Sequence, residues 1–189
     1  MNENKNIVKV SEIAETKIQS DLVADVKAIV GNGLRKAYQD ANVTTVHTYW
    51  QVGRRIVEEE QKGEKRAEYG SRLITSLAEA LSVEYSRGFT ARDLRNYRQL
   101  YLCFRDLEIW YTRVPNLTWS HYRTVLSVTN EDARYWYVME AAREMWNVRV
   151  LARNVGSQYY QRLLQSPKKD AVIAEMKKNT ESLQMDARD

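Results

Sequence analysis

Residues 71–104 constrain the fold more than any other part of the chain. They contain two amphipathic helical patterns, at 71–85 and 90–104, separated by the four-residue break Ser-Arg-Gly-Phe that includes Gly88. Two helices joined by so short a turn are the outline of a helix-turn-helix. Any helical bundle with short loops also produces this outline, so by itself it predicts helices rather than a function.

The second of these patterns has a clear beginning and two different faces. Thr90 is a favourable N-cap, and Asp93 three residues later completes a capping box. At about 100° per residue, the apolar side chains gather on one side of the helix. They are Leu94, Tyr97, Leu100, Tyr101 and Phe104. The opposite side carries Arg92, Arg95, Asn96, Arg98 and Gln99.

The polar side of this helix has the residue types that read nucleic acid. Arginine offers a fork of donors to phosphate or guanine, and Asn and Gln pair with adenine in the major groove. Arg87 would contact phosphate from the turn, and residues 87–105, with both ends counted, contain five arginines and one acid. The first hypothesis is a module that binds duplex DNA through helix 90–104. The alternative that this is an ordinary solvent-exposed helix remains open, because Arg and Gln are good helix formers.

Helix-breaking residues are scarce, which favours an all-α protein. The 189 residues include two prolines and seven glycines, and we expect a multi-helix bundle containing a helix-turn-helix, winged-helix-like element. The net charge of +4 permits nucleic-acid binding without demanding it. A single cysteine, Cys103, excludes an intramolecular disulfide and suits a reducing compartment. No apolar run has the length of a signal peptide or membrane span, so we expect a cytoplasmic protein with no membrane contact.

The sequence divides into three parts. Residues 1–20 predict a flexible arm or weakly held helix, 21–166 a helical domain, and 167–189 a charged linker or tail. Within the domain, Gly31-Asn32-Gly33 predicts a break between a helix at 22–30 and a long helix at 34–61. Gly53 inside that long helix indicates close approach by another helix.

The second half of the domain predicts a connector followed by three helices. Residues 105–115 suit an extended connector, although a wing-like arm is also possible. Thr118 or Ser120 caps the next helix, Asn130 the following one, and Asn147 a last helix that runs to Ser166.

A second hypothesis comes from the aromatic content of this half. Trp110, Trp119, Trp136 and Trp146 suggest more burial than one monomer needs. The chain would then be a protein-interaction or dimerisation module, and the acidic residues 58–60 could meet a basic patch on a nuclease or another partner.

No constellation of residues predicts catalysis. The sequence lacks both the GxxxxGK[ST] and the GxGxxG phosphate-binding loops. His47 and His121 lie on different predicted helices without metal-ligand spacing, and Cys103 has no basic partner that would activate it. We therefore expect no catalytic residue, metal, cofactor or small-molecule substrate, and regard the chain as a non-enzyme.

Several segments, taken together, resemble the N-terminal domain of the YhcG-like family. They are Tyr-Trp-Gln-Val-Gly-Arg-Arg-Ile at 49–56, Tyr-Gly at 69–70, Gly-Phe-Thr-Ala-Arg-Asp-Leu at 88–94, Leu-Thr-Trp-Ser-His-Tyr at 117–122, Trp-Asn-Val-Arg at 146–149 and Gln-Tyr-Tyr-Gln-Arg-Leu at 158–163. The resemblance runs in order from about residue 34 to 164 and includes several rare tryptophans.

The resemblance implies a bacterial, DNA-associated protein. Members typically join this helical domain, of unknown function and regarded as DNA-binding, to a C-terminal PD-(D/E)XK nuclease domain, which we expect to be absent from these residues. The chain departs from the family's usual Ser-x-x-Asn-Leu at 90–94 and has Tyr97 where Met is common. Asp93 in place of Asn adds a negative charge near any phosphate, which weakens a base-reading role for the start of the helix.

Overall fold

All the secondary structure that a computed structural model of the chain describes is helical. Described are the backbone of residues 3–62, 67–85, 87–106 and 116–185, and the side chains of 20–61, 70, 72–85, 87–106 and 116–184. Within those ranges there are eight α-helices and no strand, which confirms the all-α prediction. Of the predicted connector or wing at 105–115, residues 107–115 lie outside the described residues.

The helices follow one another with short connections. They are α1 Glu3–Lys62, α2 Ala67–Glu84, α3 Ala91–Cys103, α4 Trp119–Val125, α5 Glu131–Arg143, α6 Val148–Gly156, α7 Tyr159–Gln165 and α8 Lys169–Met185. By their internal contacts, the residues group into two compact units, 1–41 and 42–189. The first unit is the N-terminal part of α1, and the second contains both hydrophobic clusters.

The predicted break at Gly31-Asn32-Gly33 is wrong, because α1 continues through these residues. A glycine inside a helix costs about 1 kcal/mol relative to alanine but keeps its backbone hydrogen bond, so it weakens a helix without ending it. Among the described glycines only Gly88 has a positive φ. Residues 3–20 also belong to α1.

The smaller cluster joins α3 to the C-terminal half of α1 and to α2. Its buried members are Ile56, Ile74, Ala78, Leu94 and Tyr97. Gly53 makes this contact possible. A Cβ built there would lie 1.9 Å from the carbonyl oxygen of Tyr97, so only glycine allows the α1 backbone to approach α3 so closely. The predicted role of Gly53 is confirmed.

The larger cluster is built mainly by α4 to α8. Asn130 and Asn147 begin α5 and α6 as predicted, each accepting a hydrogen bond from the backbone N–H three residues later. Thr118 precedes α4 as its N-cap. The single helix predicted from Asn147 to Ser166 is instead two, because Gln158 adopts φ 52° between α6 and α7.

Residues 169–185, which the sequence assigned to a charged tail, form α8. Met176 is buried in the larger cluster, and the Asn147 Nδ2 donates to the Leu183 carbonyl at 2.6 Å. Arg162 and Glu175 pair at 2.6 Å between α7 and α8. Val172, Ile173 and Leu183 also pack against that cluster. These contacts hold a helix whose composition looks like that of a linker.

The described tryptophans belong to the clusters rather than to an open surface. Trp146 is buried in the larger cluster, and Trp119 and Trp136 are half-buried against the clusters. Trp110 lies outside the described residues. These aromatic side chains pack within the chain, so their number alone is not evidence for a partner protein.

Candidate nucleic-acid interface

The turn between α2 and α3 is fixed by a glycine and a tyrosine. Gly88 has φ +87°, a conformation that residues with a Cβ rarely adopt. The Tyr97 hydroxyl, on the buried side of α3, donates to the Gly88 carbonyl at 2.6 Å. The loop before α3 is therefore tied to the second turn of the helix.

Tyr97 is itself held by an aromatic cluster. Its ring stacks on Tyr49 of α1 at 4.1 Å between centroids, and Trp119 of α4 meets it edge-on at 5.2 Å. Burial, and then the neighbouring Tyr49 hydroxyl, raise the pKa of Tyr97 above its ordinary value of 10.0. The hydroxyl therefore stays protonated and available as a donor to the turn.

The start of α3 has the predicted capping box. The backbone N–H of Asp93 donates to the Thr90 hydroxyl oxygen at 3.2 Å, and the Asp93 carboxylate accepts from the backbone N–H of Thr90 at 3.2 Å. The Thr90 hydroxyl also donates to that carboxylate at 2.7 Å. Asp93 is thus occupied as a cap, and its charge is directed to the helix end.

Four of the six predicted contact residues are exposed. Arg87, Arg92, Arg95 and Gln99 lie on the solvent side, and Asn96 is half-buried. Among the residues that the structure describes, the guanidinium groups of Arg87, Arg92 and Arg95 have no carboxylate within ion-pair distance. As far as the described residues go, these three cations can therefore meet a phosphate without first breaking an ion pair.

Arg98 differs from the other arginines of α3. Its Nε donates to Glu60 Oε2 at 2.6 Å, and the Glu60 side chain is only 17% exposed. A Cβ built at Gly70 of α2 would lie 2.9 Å from the other Glu60 oxygen. The carboxylate therefore lies where α1, α2 and α3 converge, and Arg98 holds these helices together.

The remaining acids at the end of α1 are also paired. Glu58 meets Arg54 at 2.8 Å and Glu59 meets Arg55 at 2.7 Å, one turn earlier in the same helix. Acidic residues at a helix C-terminus oppose the helix dipole. Local arginines offset that cost here.

The other candidate reactive groups have structural partners. Cys103 is buried and accepts a hydrogen bond from Gln99 Nε2 at 3.2 Å. His121 is buried, with Nδ1 accepting from the Thr118 N–H at 3.1 Å and Nε2 lying 3.0 Å from the Trp146 carbonyl. Across the described residues, no group of three or more His, Cys, Asp and Glu side chains could hold a metal ion.

Two important residues of this region carried no signal in the sequence. In the sequence Glu60 is only the last acid of the run at 58–60, because its partner Arg98 lies 38 positions away. Tyr49 lies within the long helix predicted at 34–61, and its stack on Tyr97 depends on how α1 and α3 cross. The Tyr97-Gly88 hydrogen bond spans nine residues, which matches no local turn pattern.

Comparison with known proteins gives a family for most of the chain. Residues 25–162 match the family model described as the DUF1016 N-terminal domain. The chain belongs to this family. It is also similar to a protein of Escherichia coli (strain K12) named "Putative nuclease YhcG", with 36% identity in an alignment that covers 77% of this chain and 46% of that relative. The chain therefore corresponds to less than half of the relative's length.

No solved structure matches this chain. The family match extends from the N-terminal part of α1 to α7, so α3 and the residues that support it lie inside the matched range. None of the described helices is long and apolar enough to cross a membrane.

Proposed function

We propose that this chain is a non-catalytic module that binds duplex DNA, with α2 and α3 acting as a helix-turn-helix and α3 as its recognition helix. The observation that carries the proposal is the outward face of α3, where Arg92 and Arg95 are exposed and unpaired among the described residues. Arg87, in the turn before α3, is a third exposed arginine.

The support beneath α3 suits this role. A recognition helix must be held rigidly, because a displacement of about 1 Å spoils hydrogen bonds to bases and phosphates. Here the turn is tied by Tyr97, the helix start by its capping box, and the helix backbone by direct contact with Gly53. The side chains proposed to contact DNA therefore project from a helix that is held in place by packing.

The predicted contact set divides into two groups. Arg87, Arg92, Arg95 and Gln99 are placed for direct contact, with arginine suited to phosphate or guanine and glutamine to adenine. Asn96 is half-buried and Arg98 is engaged by Glu60. We therefore assign Arg98 a positioning role, and expect Asn96 to contribute less than its neighbours.

The relative's name supports a nucleic-acid context, because a nuclease acts on nucleic acid. The proposal does not extend nuclease activity to these residues, whose described part contains no acid cluster suited to a metal. We expect the purified chain to leave DNA intact in the presence of Mg²⁺. We also propose a cytoplasmic location, because duplex DNA, the proposed ligand, is found there in a bacterial cell.

A salt-titrated binding measurement on residues 1–189 tests the proposal. The double variant Arg92→Ala, Arg95→Ala should fold normally, because both side chains are exposed. It should bind duplex DNA more weakly, and the slope of log K against log salt should fall by about 2 if each arginine contacts one phosphate. Binding would be followed by fluorescence anisotropy and folding by circular dichroism.

A matched control separates local contact from general charge. Arg123→Ala, Arg153→Ala removes two exposed arginines from α4 and α6 and changes the net charge equally. If both double variants lose the same affinity, the attraction is nonspecific and α3 is not the reading helix. Absence of any binding by the unchanged chain at low salt would end the DNA proposal.

A further inference from the structure

The N-terminal part of α1 exposes an unusual number of apolar side chains. We call them the N-terminal stripe: Leu22, Val23, Val26, Ile29, Val30, Leu34 and Tyr38, each between 48% and 70% exposed. At about 100° per residue they occupy roughly half of the helix circumference. Single exposed apolar residues are ordinary, but a contiguous surface of this kind marks an interaction site.

The size of the stripe matches that of a protein-protein interface. Seven large side chains with these exposures present on the order of 700 Å² per copy, close to what each partner contributes to a standard-size interface. An isolated helix cannot bury such a face by itself. A second helix with an equally long apolar face could cover it.

The charges along the same segment indicate that the covering helix is a second copy of this segment, and they indicate its direction. Residues 20–30 carry Asp21, Asp25 and Lys27, a net charge of −1. The following residues, 31–41, carry Arg35, Lys36 and Asp40, a net charge of +1. Two copies aligned in parallel would place like charges together. An antiparallel pair brings the acidic half of one against the basic half of the other.

Antiparallel alignment has a further advantage. The helix dipoles then oppose each other, which is the favourable arrangement.

We infer that a second copy of this chain docks antiparallel on the N-terminal stripe, so that the protein is a homodimer through residues 22–38 of α1. The interface uses residues outside α3 and does not rest on DNA binding. The aromatic clusters of residues 42–189 take no part in it.

Sedimentation equilibrium on the full chain tests the surface. The unchanged protein should dimerise, and Val30→Glu should raise the dimer dissociation constant by more than about tenfold, because two carboxylates would meet near the centre of an apolar interface. Val83→Glu on α2 is the matched control, since Val83 is 90% exposed and lies outside the stripe. It should leave the dissociation constant unchanged.

Disulfide trapping tests the direction. Val23 and Tyr38 lie near opposite ends of the stripe, and the chain's own Cys103 is buried. A mixture of Val23→Cys and Tyr38→Cys chains should form a mixed disulfide under mild oxidation, while each variant alone should form little. Efficient cross-linking of either variant with itself indicates a parallel pair and overturns the inference.

Two further results would also overturn it. One is a protein that stays monomeric at every concentration. This result overturns the inference whether cysteines substituted into the stripe react with thiol reagents or are protected from them by the same chain. The other is a dimer whose dissociation constant responds equally to Val30→Glu and Val83→Glu. That outcome would place the dimer contact elsewhere on the molecule.

Discussion

Replacing Gly53 with alanine should separate α1 from α3. The added Cβ would lie 1.9 Å from the Tyr97 carbonyl oxygen and 2.5 Å from its carbonyl carbon, whereas Cβ atoms essentially never approach within 3.0 Å of another heavy atom. The obstacle is backbone inside a helix and cannot rotate away. The two helices must therefore move apart by at least about 1 Å.

Two opposing terms set the size of the effect. Alanine favours the helix over glycine by about 1 kcal/mol. Overpacking costs about 1–3 kcal/mol, and the displacement also loosens Leu94 and Tyr97, which are 0% and 1% exposed, and the 2.7 Å hydrogen bond from Trp50 Nε1 to the Phe104 carbonyl. We expect a net destabilisation of about 2 kcal/mol, which lowers Tm by about 4–8 °C.

Urea and thermal unfolding followed by circular dichroism would measure this change. Gly33→Ala is the matched control, because it lies in the same helix and its Cβ would meet nothing within 4 Å. That variant should be unchanged or more stable by up to about 1 kcal/mol. A Gly53→Ala protein as stable as the Gly33→Ala protein would refute the close contact between α1 and α3.

Two other predictions concern single side chains. Tyr97→Phe removes the hydrogen bond to the Gly88 carbonyl and should lower the free energy of unfolding by about 0.5–1.5 kcal/mol; unchanged stability would show that the bond does not hold the turn. Burial lowers the pKa of His121 below its ordinary 6.5, although the Trp146 carbonyl acts against this. The native state thus binds the proton less readily than the unfolded state, so stability should be full above pH 6.5 and fall as the pH drops below it. Denaturation at pH 7.5 and 5.5 would show that loss, and His121→Asn should reduce it.

Two corrections to the sequence-based predictions concern helix ends. Gly31-Asn32-Gly33 predicts a helix end, but a glycine only weakens a helix, and α1 continues through these residues. Gln158 has no turn-forming composition, yet it adopts φ 52° and divides one predicted helix into two.

The sequence by itself determined the helical class, the start of α3 at Thr90, and the caps at Asn130 and Asn147. These follow from local rules of periodicity and capping, which act over three or four residues. The family resemblance was also readable, and the match over residues 25–162 confirms it.

Tertiary structure alone decided which arginines of α3 are available. All of them look equivalent on a helical wheel, and only the crossing of α1 with α3 brings Glu60 to Arg98. The same crossing stacks Tyr49 on Tyr97 and so fixes the turn at Gly88. Contacts between residues 38 or 48 positions apart depend on how helices pack, and no local pattern records them.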